Sequence, residues 1–207
     1  MVTKGCGFTG HYFTDNRSLA ENRKEHSFRF SGNTFTFITD AGVFSKKDVD
    51  EGTGFLLEAS VPELQSQSLL DLGCGYGVIG IVIKKIFPSC AVMMSDINPR
   101  AIELAKLNCE KNEVDCHCIE SDGFEAIDQT FDTIMLNPPI RAGKNIIYRL
   151  FDEAYAHLDD GGSLYVVIRR KQGAESALSH LEETFKNCSV LAKKKGYWVL
   201  KSTKLTD

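Results

Sequence analysis

Two periods of apolar and polar residues divide the chain. In His26-Ser-Phe-Arg-Phe and Thr34-Phe-Thr-Phe-Ile the residues alternate, a period of two that predicts two strands. Ser31-Gly32-Asn33 separates them, so the pair is predicted to form a β-hairpin. Residues 1 to about 24 show no sustained period and are expected to form a loosely ordered polar arm. Residues 40–50 read as a loop. A short helix is predicted over 54–59, with Thr53 as its N-cap.

From Ser68 onward the pattern changes to repeated strand–helix units. Strands are predicted at 68–72, 90–96, 115–120, 131–136 and 163–169, mostly as unbroken apolar runs. Such runs suit a parallel sheet buried on both faces. Helices are predicted at 77–87, 99–112, 145–158 and 174–186. In the third, Ile147, Leu150, Phe151, Ala154, Tyr155 and Leu158 recur at helical spacing. Asn98-Pro99 reads as N-cap and first-turn proline. Asp159-Asp-Gly-Gly162 reads as the turn that ends the 145–158 helix. The tail, 188–195 and 197–203, predicts two more strands around Gly196. Strands alternating with helices imply a doubly wound α/β sheet, mostly parallel with an antiparallel C-terminal strand, preceded by the hairpin extension.

Composition adds limits rather than a function. The 207 residues are 43% hydrophobic and 25% charged, in the ordinary range for a globular chain. No apolar run approaches the roughly 18 residues of a membrane helix, and no signal-peptide core is evident, so the chain reads as cytoplasmic. Seven cysteines with no C-x-x-C spacing argue against a disulfide framework. Cys116-His-Cys118 lies on a predicted strand, where the two thiols share one face and His117 takes the other. It is read as buried thiols, with no metal site. Net charge is −4, so any nucleic-acid contact must be local. The candidates are Lys46-Lys47, Arg141 with Lys144, Arg169-Arg170-Lys171 and Lys193-Lys194-Lys195.

Candidate chemistry sits at two strand ends. Asp71-Leu-Gly73-Cys74-Gly75-Tyr-Gly77 lies where the first strand of the repeat meets its helix. Glycines there let a ligand approach the backbone and the helix N-terminus. Gly75-Tyr-Gly77-Val-Ile-Gly80 also spells a dinucleotide-binding fingerprint, so glycines alone leave NAD open. Asp96, followed by Ile97, ends the next strand, where a carboxylate can accept both hydroxyls of a ribose. Asp122-Gly123-Phe124 ends the third: the acid can accept from an adenine amine and Phe124 can cover the ring. Asp71 would repel a pyrophosphate and suits an amino group, which disfavours NAD.

The second site is Asn137-Pro138-Pro139-Ile140, at the end of strand 131–136. Consecutive prolines fix φ and carry no N–H, so the carbonyls of Asn137 and Pro138 are presented rigidly. An exocyclic amine can donate to Asn137 Oδ1 and to the Pro138 carbonyl. A conjugated amine is a weak nucleophile, and alignment then contributes much of the rate. Together the two sites point to methylation of an amine.

These residues resemble the class I S-adenosylmethionine-dependent methyltransferases. More narrowly, His11-Tyr-Phe, Phe37-Ile-Thr-Asp-Ala-Gly-Val-Phe-Ser-Lys-Lys-Asp-Val-Asp50, Asn137-Pro-Pro-Ile-Arg-Ala-Gly-Lys144, Gln172-Gly-Ala and Lys193-Lys-Lys-Gly-Tyr-Trp198 resemble the RsmC-like group. These are methyltransferases of small-subunit ribosomal RNA that act on guanine N2. The resemblance implies S-adenosylmethionine as cofactor and ribosomal RNA or the small ribosomal subunit as partner. Asn137, Pro138 and Pro139 would be catalytic, and Phe44, Lys46, Lys47, Ile140, Arg141 and Lys144 would meet the substrate. The chain is read as an extension at 1–60, an arm, hairpin and short helix packed on the core, and a methyltransferase domain at 61–207. Position 140 is Ile where many nucleobase-amine methyltransferases carry an aromatic, so either the base is stacked from elsewhere, with Phe44 the candidate, or the substrate is held differently. Methylation of a protein glutamine amide or a small molecule, and a non-catalytic ribosome-binding module, are the competing readings.

Overall fold

Residues 22–40, 43 and 48–206 are described by a computed structural model. Most of the predicted N-terminal arm, the His11-Tyr-Phe block and residues 41, 42 and 44–47 lie outside the described residues. Strands β1 (Lys24–Phe30) and β2 (Asn33–Thr39) form the predicted hairpin. Its two-residue turn, Ser31-Gly32, takes positive φ at both positions (48° and 78°), the twist that antiparallel neighbours require.

The repeat builds a seven-stranded sheet from β3 (Ser68–Leu72), β4 (Ala91–Asp96), β5 (His117–Glu120), β6 (Phe131–Leu136), β7 (Leu158–Arg169), β8 (Ser189–Lys194) and β9 (Tyr197–Thr203). The order is β5-β4-β3-β6-β7-β9-β8. The five strands β5 to β7 run parallel; β9 is antiparallel to β7, and β8 to β9. The chain winds outward from β3 in one direction and from β6 in the other. A crevice therefore opens beyond the carboxyl ends of β3 and β6.

Helices cover both faces. On one side α1 (Glu51–Ser60), α2 (Val78–Ile86) and α3 (Pro99–Lys111) pack Leu56, Leu57, Ile81, Ile83 and Leu104 against Leu69, Met135, Val167 and Val199. On the other, α4 (Lys144–Ala156) and α5 (Ala174–Phe185) pack Leu150, Phe151, Leu181 and Phe185 against Leu70, Ile134, Leu136 and Val166. Sheet residues alternate between the two cores, so the central strands are mostly apolar, with Asp71 and Asp96 near their carboxyl ends as exceptions.

Two helix ends differ from expectation. Asp50, not Thr53, caps α1: its Oδ2 accepts from the amides of Gly52 at 2.9 Å and Thr53 at 3.2 Å. Thr53 is freed for another bond, described below. At the other end of the domain, α4 stops at Ala156, and Asp159–Gly162 lies inside β7 rather than capping the helix. Phe131 pairs with Leu158 and Thr133 with Ser163, so these residues bulge out of the ladder. A Cβ on Gly162 would sit 2.8 to 3.1 Å from three backbone oxygens, so only glycine closes that bulge.

The hairpin is not a continuation of the sheet. It is held by two asparagines four residues apart, Asn108 on α3 and Asn112 at its C-cap. Asn108 Oδ1 accepts from Ile38 N at 2.7 Å, and its Nδ2 donates to Ile38 O at 3.0 Å and Tyr76 O at 2.9 Å. Asn112 repeats the pattern on Thr36, accepting at 2.9 Å and donating at 2.8 Å. Side-chain amides thus satisfy alternate backbone groups of β2 as a neighbouring strand would. Phe37 packs edge-on against Tyr76, centroids 5.8 Å apart, so the hairpin also supports the glycine turn.

Candidate active site

A cavity of about 650 Å³ occupies the crevice. Its first half is built by strand ends. Asp71, Gly73, Cys74, Gly75, Asp96, Ile97, Asp122 and Gly123 line it, as do Ile79, Asn98 and Ala101 from helix starts. Gly73 and Gly75 take φ of +67° and +57°, which turns the chain sharply after β3. Gly77 does not line the cavity: a Cβ there would meet Ile81, Met94 and Ala105 at 3.1 to 3.3 Å, so this glycine allows α2 to pack.

Among the described residues, neither inner carboxylate has a cation beside it. Asp96 accepts from Gly75 N at 2.8 Å and Asn98 N at 2.9 Å, and burial still pushes its carboxyl above the usual range. Asp71 is 1% exposed, and its Oδ2 accepts from Gly80 N at 2.9 Å. Its Oδ1 is buried with no hydrogen-bond partner among the described residues. Burial, with Asp96 adding repulsion, raises Asp71 to about 7 against the pull of the Gly80 amide. Two desolvated acids on one wall favour a cationic ligand and oppose a pyrophosphate.

Asp122 is a different case. Its Oδ1 is taken by Arg149 at 2.5 Å, and both side chains are about 40% exposed. Phe124 does not line the cavity. It is 5% exposed, stacked on His157 with centroids 4.3 Å apart, and belongs to the core under α4. Gly123, not Phe124, takes the position toward the cavity.

The second half is formed by Asn137, Pro138, Pro139, Ile140 and Arg141 facing Asp50, Thr53, Arg169 and Tyr197. Asn137 donates from Nδ2 to Thr53 Oγ1 at 2.9 Å and to Asp50 Oδ2 at 3.1 Å. Two acceptors on one side fix the amide, so Oδ1 is committed to accepting. Tyr197 supplies the aromatic wall, with the Arg169 guanidinium 4.4 Å from its ring centroid. Phe44, Lys46 and Lys47 lie outside the described residues. Lys144 is not on this cavity; it lines a smaller one of about 150 Å³ behind Ile140, with its ammonium 5.3 Å from the Tyr148 ring.

The sequence does not by itself place Asp50, Thr53 and Tyr197 at the site. A spacing signal existed for the first, since Asp50 stands where an aspartate can cap a helix beginning at Glu51. For Tyr197 the one signal is its place in the Lys193–Trp198 block, since it reaches the cavity only through the antiparallel return of β9. The basic clusters also resolve differently. Lys194 pairs with Glu58 at 2.5 Å and Lys195 with Glu51 at 2.9 Å, Lys193 lies over the Trp198 ring, and Arg170 pairs with Glu175. Cys116, just ahead of β5, and Cys118 are half-buried rather than buried, beside Cys109, whose thiol is pushed up to about 12 mainly by Cys116; His117 is exposed. No helix among the described residues is long and apolar enough to cross a membrane.

Comparison with known proteins agrees with this geometry. Residues 34–201 match the family model "Methyltransferase small domain". An uncharacterized Bacillus subtilis protein, YbxB, is 43% identical over 199 residues, covering 94% of this chain and 98% of its own. Ribosomal RNA small subunit methyltransferase C of Hahella chejuensis is 38% identical over 141 residues, 66% of this chain but 41% of that enzyme. The solved T. thermophilus 16S rRNA N2 G1207 methyltransferase, in complex with AdoMet and guanosine, superposes with a TM-score of 0.80 at 27% identity. That match covers 88% of this chain and 50% of the other, so this chain spans half or less of these two enzymes. The chain belongs to the methyltransferase small domain family, and it is an S-adenosylmethionine-dependent methyltransferase.

Proposed function

We propose that the protein methylates the exocyclic N2 of a guanine in small-subunit ribosomal RNA. The observation that carries this reading is the fixed amide of Asn137. With Nδ2 consumed by Asp50 and Thr53, Oδ1 and the neighbouring Pro138 carbonyl form a pair of acceptors, the complement of an amino group. The guanosine named with the T. thermophilus relative supports the choice of amine.

The residues present fit the cofactor. Asp71 and Asp96 would hold its amino group and ribose, and the turn at Gly73–Gly75 would admit it to the backbone. When bound, S-adenosylmethionine supplies a methyl group on a positively charged sulfur. The chain's own task is alignment. Asn137 and Pro138 accept the two N–H bonds and so direct the nitrogen lone pair away from themselves, into the cavity. No strong base is required, because the surplus proton can leave to water after transfer. Pro138 and Pro139 keep the acceptors rigid.

The test is transfer of radiolabelled methyl groups to 30S subunits, 50S subunits and naked 16S RNA from a strain lacking the gene. Label recovered as N2-methylguanosine from small-subunit RNA is expected. Label in protein, in another nucleoside or in neither would overturn the assignment.

Asp71 gives a pH-dependent prediction. The folded protein retains a proton that the unfolded chain releases between about pH 4 and 7. Stability of the ligand-free protein therefore falls as pH rises through that window, by up to about 4 kcal/mol from this group. Asp71→Asn is expected to flatten the profile and raise the melting temperature above pH 7. It should also weaken S-adenosylhomocysteine binding at pH 8 by about tenfold or more. Thermal melts from pH 5 to 9 and calorimetry check both; a profile identical to wild type contradicts the burial argument.

A further inference from the structure

We propose that Asp50 reads the base: its Oδ1 accepts the N1–H of guanine while Asn137 and Pro138 hold the N2 amine. This rests on the guanine-N2 reading and names the residue that would select guanine at that site.

The two oxygens of Asp50 are in different situations. Oδ2 is saturated, accepting from Gly52 N, Thr53 N and Asn137 Nδ2 at 2.9, 3.2 and 3.1 Å. Oδ1 accepts from none of the described residues, although the residue lines the cavity and the atom is not among the buried unpartnered ones. It is an accessible, charged acceptor one hydrogen bond away from the Asn137 amide. Capping α1 would be served as well by serine, threonine or asparagine. Only a carboxylate leaves a second acceptor after the cap is made.

The pattern matches one base. Guanine carries N1–H and N2–H2 side by side, two adjacent donors for Asp50 Oδ1 and Asn137 Oδ1. Adenine and cytosine each place an unprotonated ring nitrogen beside their amine, which would set acceptor against acceptor. The neighbouring wall suits a flat ring. A Cβ on Gly52 would lie 2.8 Å from Asp50 Oδ2 and 2.9 Å from Tyr197 Cε1, so the absent side chain lets the acid and the aromatic stand together. Discrimination by hydrogen bonding also removes the need for an aromatic at Ile140 to select the base.

Calorimetric titration of the full chain, saturated with S-adenosylhomocysteine, tests this with guanosine and 2-aminopurine riboside. The analogue keeps the exocyclic amine but has an acceptor at N1 and no O6. Wild type is expected to bind guanosine at least about tenfold more tightly. Asp50→Asn keeps a good cap and presents an NH2 to the cavity. It should bring the ratio to about one or invert it, with melting temperature and S-adenosylhomocysteine affinity unchanged. Thr53→Val removes one anchor of Asn137 and should weaken both nucleosides alike. Equal binding of the two nucleosides by wild type overturns the proposal, whatever the variants do. So does an Asp50→Asn variant that weakens both equally, the result expected if Asp50 merely holds Asn137. If the nucleoside ranking holds but no ribosomal RNA is labelled, the ribosomal target fails while the role of Asp50 stands.

Discussion

Asn137→Ala is expected to lower the single-turnover rate of methyl transfer by a factor on the order of 10² to 10³. S-adenosylhomocysteine affinity should change by less than about tenfold, because the Asp71 and Asp96 half of the cavity is untouched. The loss has two sources. The amine loses one of its two acceptors and with it the orientation of its lone pair. Thr53 Oγ1 and Asp50 Oδ2 also lose the donor they share, so the wall opposite loosens. Asn137→Asp separates the contributions. It restores an acceptor but sets a second carboxylate about 3 Å from Asp50, where the two cannot both remain charged without cost. Its rate should therefore stay low at pH 8 and recover in part at lower pH. Either variant within about threefold of wild type across that range would remove Asn137 from the reaction.

Breaking the buried pair between Arg100 and Asp40 is expected to destabilise the fold by about 3–5 kcal/mol. Arg100 Nη2 lies 2.7 Å from Asp40 Oδ2, with side-chain exposures of 8% and 2%. Asp40 also accepts from Asn22 N at 2.6 Å, so one carboxylate gathers three parts of the chain. Arg100→Ala removes the guanidinium 2.7 Å from that buried acid. The double replacement Arg100→Met with Asp40→Leu should recover most of the loss, since an apolar pair of similar volume carries no desolvation cost. Urea denaturation of the two single variants and the double measures this directly. Single-variant losses below about 1 kcal/mol would show that the pair is not what fastens the hairpin to the start of α3.

Much of the architecture was legible because its signals are local. The strands of the parallel core are contiguous apolar runs, and Asn98-Pro99 starts α3 as written, with Asn98 Oδ1 accepting from Arg100 N. The failures share a cause: a residue with strong local meaning was claimed by a distant partner. Thr53 looks like a cap until Asn137, far along the chain, takes its hydroxyl and leaves the cap to Asp50. Asp159–Gly162 spells a turn, yet the ladder between β6 and β7 absorbs it as a bulge. Lys194 and Lys195 look like an RNA-facing cluster, but α1 presents Glu58 and Glu51 to them. The site divides in the same way. The half lined by Asp71, Asp96 and Asp122 comes mainly from consecutive strand-to-helix turns, whose spacing is visible in the sequence. Its other half joins positions 50, 53, 137, 169 and 197, which only the return of β9 and the docking of α1 bring together.

The asparagine clamp on β2 has a consequence for how this chain can vary. Asn108 and Asn112 grip peptide groups, and nothing in those four bonds depends on what Thr36 and Ile38 carry as side chains. As far as this attachment is concerned, any residue with an N–H is acceptable at either position, and proline alone is barred. The helix is under the opposite constraint: at 108 and 112 no other side chain of that length offers both a donor and an acceptor. The attachment is thus encoded almost wholly on one of the two surfaces it joins, and the hairpin can diverge in composition while keeping its seat.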